Sequence, residues 1–195
     1  MTPIEELYSK MVGCTACKLR KCCMQVVPGT GQLEKPILMV VGEAPGQQED
    51  EEGVPFVGEA GQILREALRE TGILNPRNTM ITNVVKCRPP KNKFPKDESA
   101  EICVSNWLWR EIEIAQPKRM LLLGNVPLKY VTGMEGITAH RGQWYSVKGI
   151  RTMATFHPSY ILRTDRDGTT HIRSTFEGDI KEVAGEVKEL QDSVK

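Results

Sequence analysis

No apolar run in this 195-residue chain approaches the roughly 20 residues that a helix needs to cross a bilayer. The amino terminus carries no apolar core segment, so no signal peptide is expected and the protein reads as cytosolic. Net charge is almost absent. Lys and Arg number 26 against 25 Asp and Glu, and the resulting +1 points as a total to no class of partner. There is no internal repeat and no low-complexity tract, which excludes a solenoid or a tail-like segment. What remains is an ordinary globular composition, 39% apolar and 26% charged, in a chain long enough for one domain with a proper core.

Cysteine, by contrast, is well supplied, with six residues. A cytosolic setting keeps thiols reduced, so metal or cluster binding is a better reading than structural disulfides. In Cys14-Thr15-Ala16-Cys17 the two-residue gap lets both sulfurs turn toward one ion or cluster. Adjacent cysteines rarely both ligate one metal. Cys22 and Cys23 are therefore set outside the ligand set, although one of them could substitute.

The elements alternate. A short amphipathic helix over 2–12 buries Ile4, Leu7 and Met11. A Gly-containing connection, 24–35, leads to an apolar strand at 37–41. After a long loop comes a helix with Ile63, Leu64, Ala67 and Leu68 on one face, closed by Gly72. Asn75-Pro76 breaks the chain before a strand at 80–85. Pro95 opens a helix that runs to about Ala115, with Val104, Leu108 and Ile112 at four-residue steps and Cys103 on it. A strand at 118–123, a short helix at 126–132 and a polar stretch at 133–143 follow. Strands at 144–147 and 151–156, a charged turn at 164–170 and a last helix with a capping-box start at Ser174-Thr175-Phe176-Glu177 complete the chain. Strands alternating with helices predict a parallel sheet with helices on both faces.

Three stretches follow strands and so converge on one crevice. The first is Gly42 to Gly61, with five glycines, two prolines, six acids and Phe56. It lacks lysine, arginine and P-loop spacing, which argues against a phosphate cradle. On composition alone it reads equally as a solvated acidic loop. The second is Asn83, which on its own is a common turn or cap residue. The third is His157-Pro158, whose imidazole taken alone is more often structural than catalytic. Together they suit a planar heterocycle. Phe56 would stack on its face and Asn83 would read a donor/acceptor edge with its amide. His157 would stabilise charge building on a ring oxygen, and Glu43 would hold or polarise water. A basic run, Lys86 to Lys96, is either a solvated loop or a phosphate-contacting edge.

Four motifs carry a resemblance. They are Gly42-Glu43-Ala44-Pro45-Gly46, Gly53-x-Pro55-Phe56-Val57-Gly58-x-x-Gly61, Thr82-Asn83-Val84-Val85-Lys86-Cys87-Arg88-Pro89-Pro90 and His157-Pro158-Ser159-x-x-x-Arg163. In this order, from Cys14 to about Arg163, they resemble the family 4 (type 4) uracil-DNA glycosylases. The resemblance implies a three-layer α/β/α fold with a small, mostly parallel central sheet, and an amino-terminal segment, 1–35, pinned to it by a cluster. The implied cofactor is a 4Fe-4S cluster on Cys14, Cys17, Cys87 and Cys103. Zinc on the same thiolates stays open on geometry alone. The implied reaction is release of uracil from single- or double-stranded DNA by a monomer that leaves an abasic site. Glu43 and His157 are then catalytic, with His157 on uracil O2 and Glu43 on the water. Gly42, Glu49, Phe56 and Asn83 are then uracil-binding, with Glu49 or its neighbours crowding the C5 edge. Lys86, Arg88, Lys91, Lys93, Ser159 and Arg163 are then DNA contacts, and the 158–163 loop is a candidate wedge. A broader deaminated-base glycosylase and a weakly active DNA-binding module are the rival readings. Cys22, Cys23 and Gln47-Gln48 depart from the family pattern without touching the chemistry. The basic, His-containing insertion of relatives that bond covalently to uracil is missing between Asn83 and Glu98. Glu43 sets the chain apart from the sister group whose first motif lacks the carboxylate.

Overall fold

The computed structural model describes residues 1–75, 77–169 and 171–192. Pro76 of the expected break, Thr170 of the expected turn and residues 193–195 lie outside the described residues. Six strands form one sheet: β1 (Thr30–Gly31), β2 (Leu38–Gly42), β3 (Thr79–Asn83), β4 (Arg119–Leu123), β5 (Trp144–Val147) and β6 (Ile150–Thr155). Their order is β1-β3-β2-β4-β6-β5. The four inner strands are parallel, and the two edge strands pair antiparallel to their neighbours. The parallel sheet expected from the alternation is present in the four inner strands, and with its two antiparallel edges the whole is the mostly parallel sheet that the resemblance implied.

The inner strands are buried on both faces, so they read as continuous apolar runs. Successive residues feed opposite cores. Met39, Val41, Met80, Met120 and Leu122 face one layer, with Met11 of α1 (Pro3–Val12) and with Leu108 and Ile112. Leu38, Val40, Ile81, Leu121 and Leu123 face the other, with Leu64 and Leu68 of α3 (Glu59–Glu70) and with Phe176 and Ile180 of the last helix. The result is three layers, α/β/α. Thr2 caps α1 with a reciprocal box to Glu5.

Several elements depart from the sequence reading. The 42–61 loop contains a helix, α2 (Gln47–Glu52), that has no apolar stripe. The helix read as 95–115 begins at Ser99 and has three parts: α4 (Ser99–Cys103), a π-helical stretch at Val104–Leu108, and α5 (Trp109–Ala115). After α6 (Asn125–Thr132), the polar 133–143 stretch holds a short helix, α7 (Ile137–His140). Residues 158–163, read as a loop, open helix α8 (Pro158–Arg166), which takes up part of the expected charged turn. Pro158 at its first position explains this, since a missing N–H costs nothing there. The last helix, α9, spans His171–Asp192 and so starts before the expected capping box. Ser174 and Thr175 spend their hydroxyls on the His171 carbonyl instead of capping.

Candidate active site

The strand order reverses at β2, which places a crevice at the carboxyl ends of β2, β3 and β6. The chain beyond β2 stays bonded to the chain beyond β3. Val84 N–H donates to the Gly42 carbonyl at 2.9 Å, and Val85 N–H donates to the Glu43 carbonyl at 3.2 Å. A cleft of about 340 Å³ opens there. Glu43, Glu49, Phe56, Asn83, His157 and Arg163 all line it.

Gly42 is buried between two of these groups. A side chain there would collide with the edge of the Phe56 ring and with Asn83 Oδ1. Phe56 itself sits in the left-handed region at φ 57°, uncommon for an aromatic residue and a mark of strain held by its surroundings. The holder is Arg65 of α3. Its guanidinium donates to the carbonyls of Phe56 at 2.8 Å and Pro55 at 3.0 Å. Gly61 completes the clamp, because a Cβ there would meet the Phe56 backbone. The Phe56 and His157 rings lie 6.0 Å apart, tilted by 35°.

Glu49 lines the cleft, and three backbone amides already engage its carboxylate. Val57 and Gly58 donate to Oε1 at 2.9 and 2.8 Å, and Gly46 donates to Oε2 at 3.0 Å. The carboxylate thus folds the loop and faces the amino terminus of α3, where negative charge is favourable. Asp50 does a parallel task. Its carboxylate accepts from Met24 and Gln25 N–H groups and ties the amino-terminal segment to α2.

His157 closes β6 and caps α8. The Ser159 N–H, an obligate donor, reaches His157 Nδ1 at 3.1 Å, so Nδ1 is the acceptor and Nε2 carries the proton. Burial, followed by the Arg163 charge, holds the imidazole's pKa down to about 4. His157 is therefore a neutral donor near pH 7. Burial pushes the Glu43 carboxyl above its ordinary value, with Arg163 pulling the other way. Asn83 Oδ1 is buried and has no hydrogen-bond partner among the described residues. An unpaired buried acceptor costs desolvation until a ligand supplies a donor.

The basic run divides. Arg88 donates to Asn92 at 2.8 Å, and Lys91 and Lys93 are exposed. Lys86 corrects its expected role as a phosphate contact. Its side chain is 1% exposed and ion-paired to Glu111, which is 0% exposed, so it reaches no DNA. Breaking such a pair by removing one partner costs roughly 3–5 kcal/mol. Ser159 turns its hydroxyl onto His157 Nδ1 at 2.9 Å, and in this position it orients the imidazole.

Cys14, Cys17, Cys87 and Cys103 line a second pocket, on the α1 side of the sheet. Burial pushes the Cys103 thiol up to about 12 and raises Cys87 as well, with the charges of Cys23, Cys103 and Cys17 adding to the latter. The Trp107 indole in the π-helical stretch donates to Cys14 Sγ at 3.3 Å. Among the described residues no three His, Cys, Asp or Glu side chains are arranged to hold a metal ion. Four thiolates on one zinc would have to converge at bonds of about 2.3 Å. Here the four cysteines line one pocket, and four thiols gathered at one place are a donor set that an iron–sulfur cluster or a zinc ion takes.

The sequence reading missed Arg65, Asp50, Glu111 and Trp107. A signal existed for Glu111, because it is seven residues after Val104 and directly before Ile112, on the apolar stripe of its helix.

The uracil DNA glycosylase superfamily matches residues 28–179 of the chain. A type-4 uracil-DNA glycosylase of Sulfurisphaera tokodaii is 38% identical over 192 residues, 94% of this chain and 84% of that one. One from Thermotoga maritima is 42% identical over 165 residues, 82% and 83% of the two chains. A type-5 enzyme of Pyrobaculum aerophilum is 34% identical over 150 residues, 68% and 65% of the two. With its glycine-spaced first loop, its Asn83 and its His157 gathered at one sheet end, the chain belongs to the uracil DNA glycosylase superfamily and, within it, to the type-4 uracil-DNA glycosylases.

Proposed function

We propose that the cleft takes a uracil turned out of DNA and that water hydrolyses its N-glycosidic bond, leaving an abasic site. Family membership makes the chain a uracil-DNA glycosylase acting in DNA repair. The assignment of roles within the site rests on the unpartnered Oδ1 of Asn83. Uracil offers a donor at N3 and an acceptor at O4, which an amide answers with Oδ1 and its NH₂. Cytosine offers the reverse and would leave both groups opposed.

Flipping the base out costs a few kcal/mol and costs less at a mismatch. Phe56 then covers one face of the ring. As the C1′–N1 bond breaks, its electron pair leaves with uracil. His157 donates from Nε2 to O2 as negative charge gathers there. A neutral donor suits this task, because it stabilises the anion without first protonating it. The sugar becomes oxocarbenium-like, and the Glu43 carboxylate orients the incoming water and takes its proton. Gly42 lets base, ring and amide approach closely. Glu49 acts through the loop that carries Phe56, and any crowding of the C5 edge comes through that loop. Lys91 and Lys93, both exposed, would contact phosphates together with Arg88. Arg163, stacked 5.7 Å from the centre of the Tyr160 ring, would neutralise charge at the cleft mouth. Cys14, Cys17, Cys87 and Cys103 would hold a 4Fe-4S cluster, whose contribution is to pin the amino-terminal segment to the end of β3 and to α4.

The test is excision from single- and double-stranded oligonucleotides carrying one uracil, followed by alkali. Uracil should be released and cytosine and thymine left in place. Release of hypoxanthine at a comparable rate would favour the broader deaminated-base reading. DNA binding with no abasic sites would overturn the catalytic one.

A further inference from the structure

Lys86 and Glu111 form a buried ion pair that the proposed chemistry does not use. Apolar residues of similar volume would serve stability as well or better. The ammonium has three hydrogens and three acceptors. Besides Glu111, these are Thr82 Oγ1 at 2.7 Å and the Asn83 carbonyl at 2.6 Å. Thr82 in turn donates toward the Glu111 carboxylate at 3.1 Å. The peptide that follows Asn83 is thus held at both ends, its carbonyl by Lys86 and its N–H, that of Val84, by Gly42. Asn83 is the last residue of β3, and beyond it the Val84 and Val85 N–H groups still bond across to Gly42 and Glu43. Without Lys86 that peptide would be fixed from one side only.

We propose that Lys86 and Glu111 are positioning residues for the base-reading amide of Asn83. Lys86 pins the Asn83 carbonyl, Glu111 and Thr82 fix Lys86, and the side chain of Asn83 is thereby aimed into the cleft. This rests on Asn83 being the group that reads uracil. A shift of about 1 Å in such a group costs on the order of a hundredfold in rate.

The experiment is a double-mutant cycle on the cluster-loaded protein, read by single-turnover excision of uracil. One arm replaces the pair with apolar residues, Lys86→Met with Glu111→Leu, and the other is Asn83→Ala. The apolar pair should keep iron content, melting temperature and affinity for a duplex with a tetrahydrofuran abasic mimic. It should slow uracil excision by about ten- to a hundredfold. In the Asn83→Ala background the same replacement should have almost no further effect, because the amide it aims is gone. An equal loss in both backgrounds would make the pair a general structural element and overturn the proposal, as would a wild-type rate in the apolar-pair protein. If that protein does not fold, Thr82→Val tests the same link with a near-isosteric change. It should slow excision by a few fold with Asn83 present and not with Asn83→Ala, and equal effects in both would again overturn the proposal. A wild-type rate for Asn83→Ala itself would instead overturn the reading of Asn83.

Discussion

At the scale of single residues, protonation states divide the work. The imidazole of His157 is held neutral down to about pH 4, against 6.5 for an ordinary histidine. As pH falls, the unfolded chain takes its proton first. This group therefore contributes nothing above about pH 6.5 and destabilises the fold progressively from 6.5 toward 4. Urea midpoints at pH 7 and pH 5 should drop less in His157→Ala than in wild type. Equal drops would show that the imidazole is not shielded. The proposed chemistry makes catalysis depend on a different group. Burial raises Glu43 above the usual carboxylate range, so the acid limb of the single-turnover rate is expected to follow its protonation, with His157 still neutral through pH 5. Glu43→Gln should slow excision by about a hundredfold or more and flatten that limb. A variant that kept the wild-type limb would assign it elsewhere. The types of Glu43, Asn83 and His157 were legible from the sequence because each follows a strand. The burial of Lys86 was not, because its partner lies 25 residues on. A lysine within a basic run looks solvated until the fold brings a carboxylate to it.

At the scale of elements, the first loop is held by many small contacts instead of by propensity. Nothing in Gln47–Glu52 is apolar, so periodicity could not reveal α2. It forms because Glu49 gathers three backbone amides and Asp50 gathers two more from the amino-terminal segment. Helix α8 carried a readable signal in Pro158 at its first position, with the preceding His157 acting as its cap. The close packing around Gly42 yields a direct prediction. Gly42→Ala places a methyl against Phe56 and Asn83, so uracil excision should fall by about a hundredfold while affinity for undamaged DNA stays at the wild-type value. Parallel losses of binding and excision would mean that the loop, and not the base pocket, had been disturbed. Residues 90–93 predict a different signature. Lys91→Ala and Lys93→Ala should each lower the salt slope of DNA binding by roughly one and weaken all sequences alike. An unchanged slope would make this a solvated loop.

At the scale of the whole molecule, the sheet brings motifs far apart in sequence to the carboxyl ends of its strands, and Met11 of α1 packs the amino terminus into one of the two outer layers. The alternation of strands and helices fixed the three layers in advance, because buried parallel strands read as apolar runs. The two-residue edge strand β1 and the four-residue α7 lie below what such patterns resolve, whereas the other edge strand, β5, was readable at its observed bounds of 144–147. The cysteine pairing of 14 and 17 with 87 and 103 came from the family pattern, since spacing alone joins only the first two. Serine at any of Cys14, Cys17, Cys87 or Cys103 should strip the brown iron chromophore and lower the melting temperature, because one missing thiolate leaves an iron open. Exposed Cys22, changed to serine, should leave colour and iron content intact. A colourless wild-type protein with stoichiometric zinc after anaerobic purification would replace the cluster with a single ion.

The central claim is that the glycosidic bond breaks beneath His157 Nε2. Single-turnover excision of uracil from one oligonucleotide, with protein in excess, compares wild type with His157→Ala. Removing one preorganised donor to a developing anion costs on the order of 3 kcal/mol. The rate should therefore fall by about a hundredfold or more, with affinity for the abasic product unchanged. A wild-type rate in His157→Ala would place the chemistry outside this cleft.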